Sequence, residues 1–202
     1  MARKVKALAI GDAMIHGEAF GKAVEKNLSN FVDQVVCGEW ESDYPKLQNR
    51  RLIVEQQGPE VEVVDETILK EGGDAEILTG LFVPVSSKVM DAMPNLRVAG
   101  VSRAGLENVN VVEATKRGVV VFNVMGRNAH AVSDFAVGMM LAEARNIARA
   151  HYSIKNHEWR KKFFNSDAVP ELNGKTVGLV GFGYIGHLVA KKLSGFDCNV
   201  IV

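Results

Sequence analysis

The chain has 202 residues, of which 47% are hydrophobic and 24% are charged, as in an ordinary globular protein, and this argues against a long disordered or fibrous chain. Its 24 Lys and Arg residues balance its 24 Asp and Glu residues, so the net charge is zero and we expect no nucleic-acid partner. No apolar run approaches the roughly 18 residues of a membrane helix, so we also expect no membrane partner. Two cysteines, Cys37 and Cys198, cannot make a disulfide framework or a zinc site by themselves. They favour a cytoplasmic protein without a metal.

Short apolar runs alternate with helical patterns over the first 125 residues. Strands are predicted at 5–10, 31–37, 60–64, 76–79, 96–101 and 119–122. Gly11, Asp12 and His16 cut the first apolar stretch short, which favours a strand over a signal peptide. Helices are predicted at 18–28, 43–57, 67–70, 86–93 and 111–117. The alternation predicts βαβ units and therefore one α/β domain with a parallel sheet of about five strands.

Two details of the last βαβ unit are specific enough to check. Gly118 follows the helix at 111–117, where a left-handed C-cap is expected. The strand at 119–122 is apolar on both faces, as a buried parallel strand requires.

The segment 131–151 has apolar residues at spacings of three and four, which predicts one long helix. The apolar stripe consists of Val132, Phe135, Ala136, Met139, Ala144, Ile147 and Ala148. The simpler interpretation is a helix in the core of its own domain. The alternative is a helix partly buried against a second subunit, and the spacing does not decide between them.

Residues 152–172 mix aromatic and basic side chains. Such interleaving occurs in nucleic-acid-binding segments, but no binding motif surrounds it. We expect a connector packed on the domain, with its charges in solvent.

The most informative stretch is Gly181-Phe182-Gly183-Tyr184-Ile185-Gly186, which fits G-x-G-x-x-G. A turn at 173–174 and a predicted buried strand at 176–180 precede it. A helix at 187–193 and a strand at 199–202 follow it. In a dinucleotide-binding loop the first glycine allows the tight turn, the second lets the pyrophosphate approach the backbone, and the third lets the helix pack closely on the strand. The N–H groups at the helix start then receive the phosphate charge.

The acidic residue that would hold the ribose hydroxyls belongs about 20 residues beyond these glycines, past Val202. The sequence therefore does not separate NAD from NADP. We expect the chain to be the front part of a longer polypeptide, or its sheet to be completed by another partner, because the last strand would otherwise lack a neighbour.

Several stretches, in this order, resemble the NAD-dependent D-2-hydroxyacid dehydrogenase family, which includes D-3-phosphoglycerate dehydrogenase. The resemblance covers residues 76–202. The matching stretches are 94–100, 103–109, 114–123, 131–146 and, most specifically, 171–186. It implies a flavodoxin-like substrate domain at 1–127, followed by the start of a Rossmann dinucleotide-binding domain at 128–202. It also implies homodimerisation through the helix at 131–151.

The implied activity is reversible hydride transfer between NAD(P)H and a small 2-oxo acid. The family's catalytic histidine, its acidic partner and its arginine would all follow Val202, so residues 1–202 alone are expected to be inactive. The five histidines present are expected to lie on the surface or to cap helices. They are His16, His130, His151, His157 and His187.

The resemblance also assigns binding roles. Substrate contacts are expected from Thr79, Gly80, Leu81, Arg103, Ala104, Gly105 and Asn128. Cofactor contacts are expected from Gly181, Gly183, Tyr184, Ile185 and Gly186, and from Ala104 at the nicotinamide end.

Two of these assignments have structural alternatives. Arg103 is equally compatible with an ion pair. The alternative for Asn128 is a simple helix cap.

Three positions depart from the family pattern. Glu107 stands where Asp is usual, and Ser133-Asp134 stands where Ala-Glu is usual. These departures bear on the subfamily and not on the family. The alternative function is a non-catalytic dinucleotide-binding or dimerising protein that controls assembly with partners.

Overall fold

The computed structural model describes residues 4–168 and 171–202. The chain forms two compact units, one ending at Met125 and the other beginning at Gly126.

The first unit is built on one parallel sheet of five strands. They are β1 (Val5–Asp12), β2 (Val32–Glu41), β3 (Ala75–Gly80), β4 (Val98–Val101) and β5 (Val120–Asn123). The strand order is β2-β1-β3-β4-β5, and every neighbouring pair is parallel. This is the order of flavodoxin-like doubly wound folds, and it confirms the predicted α/β class.

Five helices connect these strands. They are α1 (Gly17–Leu28), α2 (Tyr44–Gln57), α3 (Glu66–Glu71), α4 (Ser87–Ala92) and α5 (Val111–Lys116). Four of them begin at a polar side chain that accepts a hydrogen bond from a first-turn backbone N–H. These capping residues are Asp43, Asp65, Ser86 and Asn110. Gly118 follows α5 with a φ of +70°, which confirms the predicted left-handed cap.

The core of this unit lies on the central strands. Leu8 and Ile10 of β1 and Leu78 of β3 are buried there, together with Leu47 of α2 and Ile68 of α3. Burial of these apolar side chains is the main source of stability in such a core. It holds β3 and β4 in place, and with them the loops that follow their carboxyl ends.

The strand predicted at 60–64 is wrong. Residues Pro59–Val61 form a 3-10 turn instead. The Glu60 carboxylate accepts hydrogen bonds from Ser87 N at 2.8 Å, Ser87 Oγ at 2.7 Å and Asn110 Nδ2 at 2.7 Å. Burial opposes the charge on Glu60, but the hydrogen bonds from Asn110 and Ser87 outweigh it, so the pKa of Glu60 is lowered. The segment is therefore tied to the starts of α4 and α5 and does not pair with the sheet.

The expected burial of the strand at 119–122 is wrong for one of its two faces within this unit, since Val119 is buried and Val121 packs against the core. Strand β5 is an edge strand that pairs with β4 alone. Val120 is 53% exposed and Phe122 is 61% exposed. The apolar side chains on both faces of β5 reflect the β propensity of Val and Phe. At this edge position, Val120 and Phe122 remain exposed.

The second unit contains α6 (Ala129–Ala144), α7 (Ile147–Lys155), β6 (Thr176–Gly178), α8 (Tyr184–Leu193) and β7 (Asn199–Ile201). Strands β6 and β7 pair in parallel, with Thr176 opposite Asn199. Helix α6 packs on α8, where Val137, Val189 and Leu193 are buried. The predicted strand at 176–180 ends early, because only β7 pairs with it, and Val180 is fully exposed.

The single helix predicted at 131–151 is two helices. Asn146 separates α6 from α7 with a φ of +56°, a left-handed conformation that asparagine tolerates better than most residues. The predicted stripe is largely exposed, with Phe135 at 69%, Met139 at 54% and Ile147 at 56%. The core interpretation of this stripe is therefore wrong, since the opposite face, with Ser133 and Val137, packs inward.

The connector at 152–172 was expected to pack on the domain. Residues 169 and 170 of it lie outside the described residues. Among the rest, Tyr152, Trp159 and Phe164 are at least 70% exposed, so the packing expectation is wrong for these aromatics. Among the residues that the structure describes, no helix is both long and apolar enough to cross a membrane.

Candidate functional site

The glycine loop lies between β6 and α8. Gly181 has a φ of +98°, which favours glycine because it strains other residues. The left-handed turn carries the chain from the end of the strand to Gly183, which is the N-cap of α8. At Gly186 a Cβ atom would overlap the carbonyl oxygen of Gly181, so only glycine lets α8 approach the turn this closely.

The start of α8 is open. A Cβ atom on Gly183 would meet nothing within 4 Å. No side chain caps this helix end, and its first turn carries no acidic residue. The free N–H groups and the positive end of the helix dipole therefore remain available to an anion such as a pyrophosphate.

Side chains around this loop are only partly buried. Phe182 is 49% exposed, Tyr184 63% and Ile185 39%. The Phe182 ring meets the His187 ring edge-on at a centroid distance of 5.7 Å, and the Tyr184 ring lies against Gly126. His187 thus belongs to the helix surface and packs on the loop from outside.

Two residues that depart from the family pattern, Ser133 and Asp134, contact the last turn of α8. Lys192 of α8 donates to Ser133 Oγ and forms an ion pair of 2.6 Å with Asp134. Ser133 is fully buried. These contacts fix α8 on α6 at polar positions that the predicted apolar stripe did not include.

In the first unit, the loops predicted to bind substrate leave the same sheet edge. Parallel β3 and β4 are neighbours, so their carboxyl ends lie side by side. Ser102 N donates to the carbonyl of Gly80 at 2.8 Å, and Asn123 Nδ2 donates to the carbonyl of Ala104 at 2.6 Å. Gly80 and Leu81 are buried, whereas Thr79, Ala104 and Gly105 are partly exposed.

Asp12 is a residue that sequence reasoning missed. It is fully buried at the end of β1. Its carboxylate accepts hydrogen bonds from Met14 N at 2.9 Å, Ile15 N at 3.2 Å and Phe82 N at 3.3 Å. Asp12 therefore joins the loops after β1 and β3, between which the strand order reverses and where ligands of such sheets bind. Its position just after an apolar strand was the available sequence signal.

Arg103 forms ion pairs. Its Nη2 atom lies 3.0 Å from Glu55 Oε1 and 2.8 Å from Glu107 Oε2, and only 14% of the side chain is exposed. Of the two interpretations of Arg103, the ion pair therefore describes its contacts in this structure. Asn128 occupies the N-cap of α6 but donates or accepts no side-chain capping hydrogen bond.

The histidines and acidic groups do not assemble a metal centre in the part of the chain that is described. Over residues 4–168 and 171–202 no group of three or more His, Cys, Asp and Glu side chains could hold a metal ion. His16 Nδ1 lies 3.4 Å from Glu39 Oε1 on the surface.

Strand, glycine turn, helix and parallel strand together define a dinucleotide-binding βαβ unit of the Rossmann type. Residues 137–202 match the family model of the D-isomer specific 2-hydroxyacid dehydrogenase, NAD binding domain. The chain belongs to the D-2-hydroxyacid dehydrogenase family, and its matched segment belongs to the NAD-binding domain of that family.

Curated relatives of this chain are members of the same family. The chain is 39% identical over 140 residues to a glyoxylate reductase of Thermofilum pendens, a match that covers 67% of this chain and 41% of the relative. It is 41% identical over 117 residues to a hydroxypyruvate reductase of Thermotoga maritima, covering 58% of this chain and 37% of the relative. The chain therefore spans less than half the length of these relatives.

Solved structures share the fold. A glyoxylate reductase from Paecilomyes thermophila superposes with a TM-score of 0.68 at 22% identity, covering 98% of this chain and 55% of the other. A D-lactate dehydrogenase from Aquifex aeolicus, complexed with NAD and lactic acid, gives a TM-score of 0.65 at 17% identity, covering 96% and 50%.

Proposed function

We propose that the complete protein is an oxidoreductase that reversibly reduces a small 2-oxo acid to a D-2-hydroxy acid with a nicotinamide cofactor. The observation that carries this proposal is the open N-terminus of α8, which follows the left-handed turn at Gly181. The names of the glyoxylate and hydroxypyruvate reductases support the substrate class. Residues beyond Val202 would supply the acid–base group and the carboxylate-binding arginine.

The residues of this chain would bind and orient. The N–H groups at Gly183, Tyr184 and Ile185 would hold the pyrophosphate, and the third glycine would keep α8 close to the turn. The bound nicotinamide supplies the hydride. Ala104 and Gly105, with Thr79, Gly80 and Leu81, would line the substrate side, and Asn128 would contribute a polar group. NAD is the proposed cofactor, with NADP as the competitor to be measured.

The proposal also covers the oligomeric state of the protein and its location in the cell. We infer a homodimer formed through α6 and α7, because both helices expose apolar side chains, namely Phe135 and Met139 on α6 and Ile147 on α7. We infer a cytoplasmic location, which the two free cysteines support.

The decisive experiment replaces Gly183 by Val in the complete protein. The backbone φ at Gly183 is −81°, which is not in the left-handed region, and an added Cβ would meet no protein atom within 4 Å. We therefore expect a folded variant that has lost NADH affinity by at least roughly 100-fold, because the side chain occupies the place of the phosphates. Isothermal titration of NADH and NADPH into both proteins measures this, with circular dichroism as the folding control. Unchanged affinity would show that the loop does not bind the cofactor.

The second candidate function is a dinucleotide-binding protein without catalysis that controls assembly. Steady-state assays with NADH and 2-oxo acids separate it from the first. NADH binding without turnover of any 2-oxo acid would favour it.

A further inference from the structure

Helix α2 brings a second arginine to the substrate side of the first unit. The guanidinium carbon of Arg51 lies 5.1 Å from the centre of the Phe82 ring, and that of Arg103 lies at the same 5.1 Å. Phe82 directly follows Leu81 in the loop after β3 and is only 8% exposed. Cation–π contacts with one buried ring therefore hold both cations beside the loops that follow β3 and β4.

The two arginines differ in their partners. Arg103 donates to Glu55 and Glu107 at 3.0 and 2.8 Å, so two carboxylates balance its charge. Arg51 Nε lies 3.7 Å from Glu55 Oε1, which is an ion-pair distance but too long for a hydrogen bond. The carboxylates of Glu55 and Glu107 therefore both accept hydrogen bonds from Arg103, and Glu55 has only a longer ion-pair contact with Arg51.

Both guanidinium groups hold unused donors. Arg51 Nε and Arg103 Nη1 are buried and have no hydrogen-bond partner among residues 4–168 and 171–202. A buried N–H of a cation without an acceptor is costly, so the residues of this chain do not fully satisfy the two guanidinium groups. The Arg51 side chain is 33% exposed, so solvent and ligands reach it while its position is fixed.

We propose that Arg51, with Arg103, forms an anion-binding site that selects 2-oxo acids carrying a second anionic group, either a carboxylate or a phosphate. This inference rests on the proposed function. A planar guanidinium matches the oxygens of either group, and the charge of Arg51 is the less compensated of the two. A substrate with only one carboxylate would leave Arg51 with the 3.7 Å ion pair to Glu55 and no hydrogen bond to the substrate.

The kinetic test uses the complete protein and the variants Arg51→Met, Arg51→Lys and Lys46→Met. The methionine keeps an apolar stem against Phe82 and removes the charge, whereas the lysine keeps the charge. Lys46 is exposed on the same helix, and its replacement by methionine is the charge-matched control. NADH oxidation is followed with pyruvate, 2-oxoglutarate and 3-phosphohydroxypyruvate.

We expect the ratio of kcat/KM for a dianionic substrate to that for pyruvate to fall roughly 10- to 100-fold in Arg51→Met, by the loss of one charge-assisted contact. Arg51→Lys should retain part of the ratio, and Lys46→Met all of it. The arm that falls, dicarboxylate or phosphate, identifies the second group. An unchanged ratio for both substrates in Arg51→Met would overturn the proposal.

A binding measurement keeps this inference separate from the proposed function. If no 2-oxo acid is reduced, the proposed function fails. Isothermal titration of 2-oxoglutarate and of inorganic phosphate into the same four proteins then tests the anion site alone. Weaker binding of at least one of them to Arg51→Met supports the site, and equal affinity in all four proteins overturns it.

Discussion

The carbonyl oxygen of Gly181 lies so close to Gly186 that a Cβ atom on residue 186 would overlap it. The left-handed backbone at Gly181 aims this carbonyl at the first turn of α8. The two glycines therefore act together. One allows the turn, and the other lets the helix approach it, so that the amide groups at the helix start are held against the loop.

Because of this contact, we expect the substitution Gly186→Ala to destabilise the protein. The overlap is with backbone, which cannot turn aside, so we expect the free energy of unfolding to fall by about 1–3 kcal/mol and NADH affinity to fall with it. Denaturant unfolding and NADH titration of the complete protein measure the two effects. Gly195→Ala is the matched control, because a Cβ there meets nothing within 4 Å. A Gly186→Ala variant as stable as the control would contradict the close approach.

Asn146 tests the break between α6 and α7. A left-handed residue costs an L-amino acid about 1–2 kcal/mol, and a β-branched one more, so Asn146→Val should lower the free energy of unfolding by about 2 kcal/mol relative to Asn146→Gly. Both variants lose the hydrogen bond that Asn146 Oδ1 accepts from Arg149 Nη1 at 2.9 Å, so their difference isolates the backbone. Thermal unfolding of both gives the comparison. Equal stability would mean that one continuous helix forms in solution.

Phe135 tests the proposed dimer. It is 69% exposed on the apolar face of α6, and a charge there would be buried if two copies meet on this face. We expect Phe135→Glu to convert a dimer to a monomer in light scattering coupled to size exclusion. Leu69→Glu, on the exposed side of α3 in the first unit, should leave the mass unchanged. A dimeric Phe135→Glu protein would remove α6 from the interface.

Glu60 gives a pH dependence with a defined sign. Its pKa is lowered in the folded protein because hydrogen bonds from Asn110 and Ser87 outweigh burial. The stabilisation is therefore complete above the unfolded pKa, about 4.3, and disappears as the pH falls through the lower folded value. We expect Glu60→Gln to cost about 1–2 kcal/mol at pH 7, where the charged hydrogen bonds are lost, and less in acid.

Urea unfolding at pH 7 and at about pH 3 tests this prediction. The exposed Glu25→Gln on α1 serves as the control and should show a small difference at both pH values. A Glu60→Gln penalty that is the same at both pH values would mean that the carboxylate charge does not stabilise this turn.

Local patterns predicted much of this molecule. The alternating apolar runs and caps located the five-stranded parallel sheet, and Gly118 and Gly174 have the positive φ values expected of a cap and a turn. The glycine loop was also recognised, because its spacing encodes three local requirements in one short segment. Such features depend on the conformational preferences of neighbouring residues, which sequence records directly.

The remaining features depend on contacts between residues that lie far apart in the chain. The strand predicted at 60–64 does not form, because Ser87 and Asn110, which lie far along the chain, donate hydrogen bonds to the Glu60 carboxylate. Likewise, only the folded chain brings Asp12 to Phe82 and Arg51 to Arg103. The sequence by itself determined the five strands of the first sheet, the helices between them and the glycine turn. Tertiary structure alone decided which faces are buried and which charges are paired, because both depend on contacts between residues that no local pattern connects.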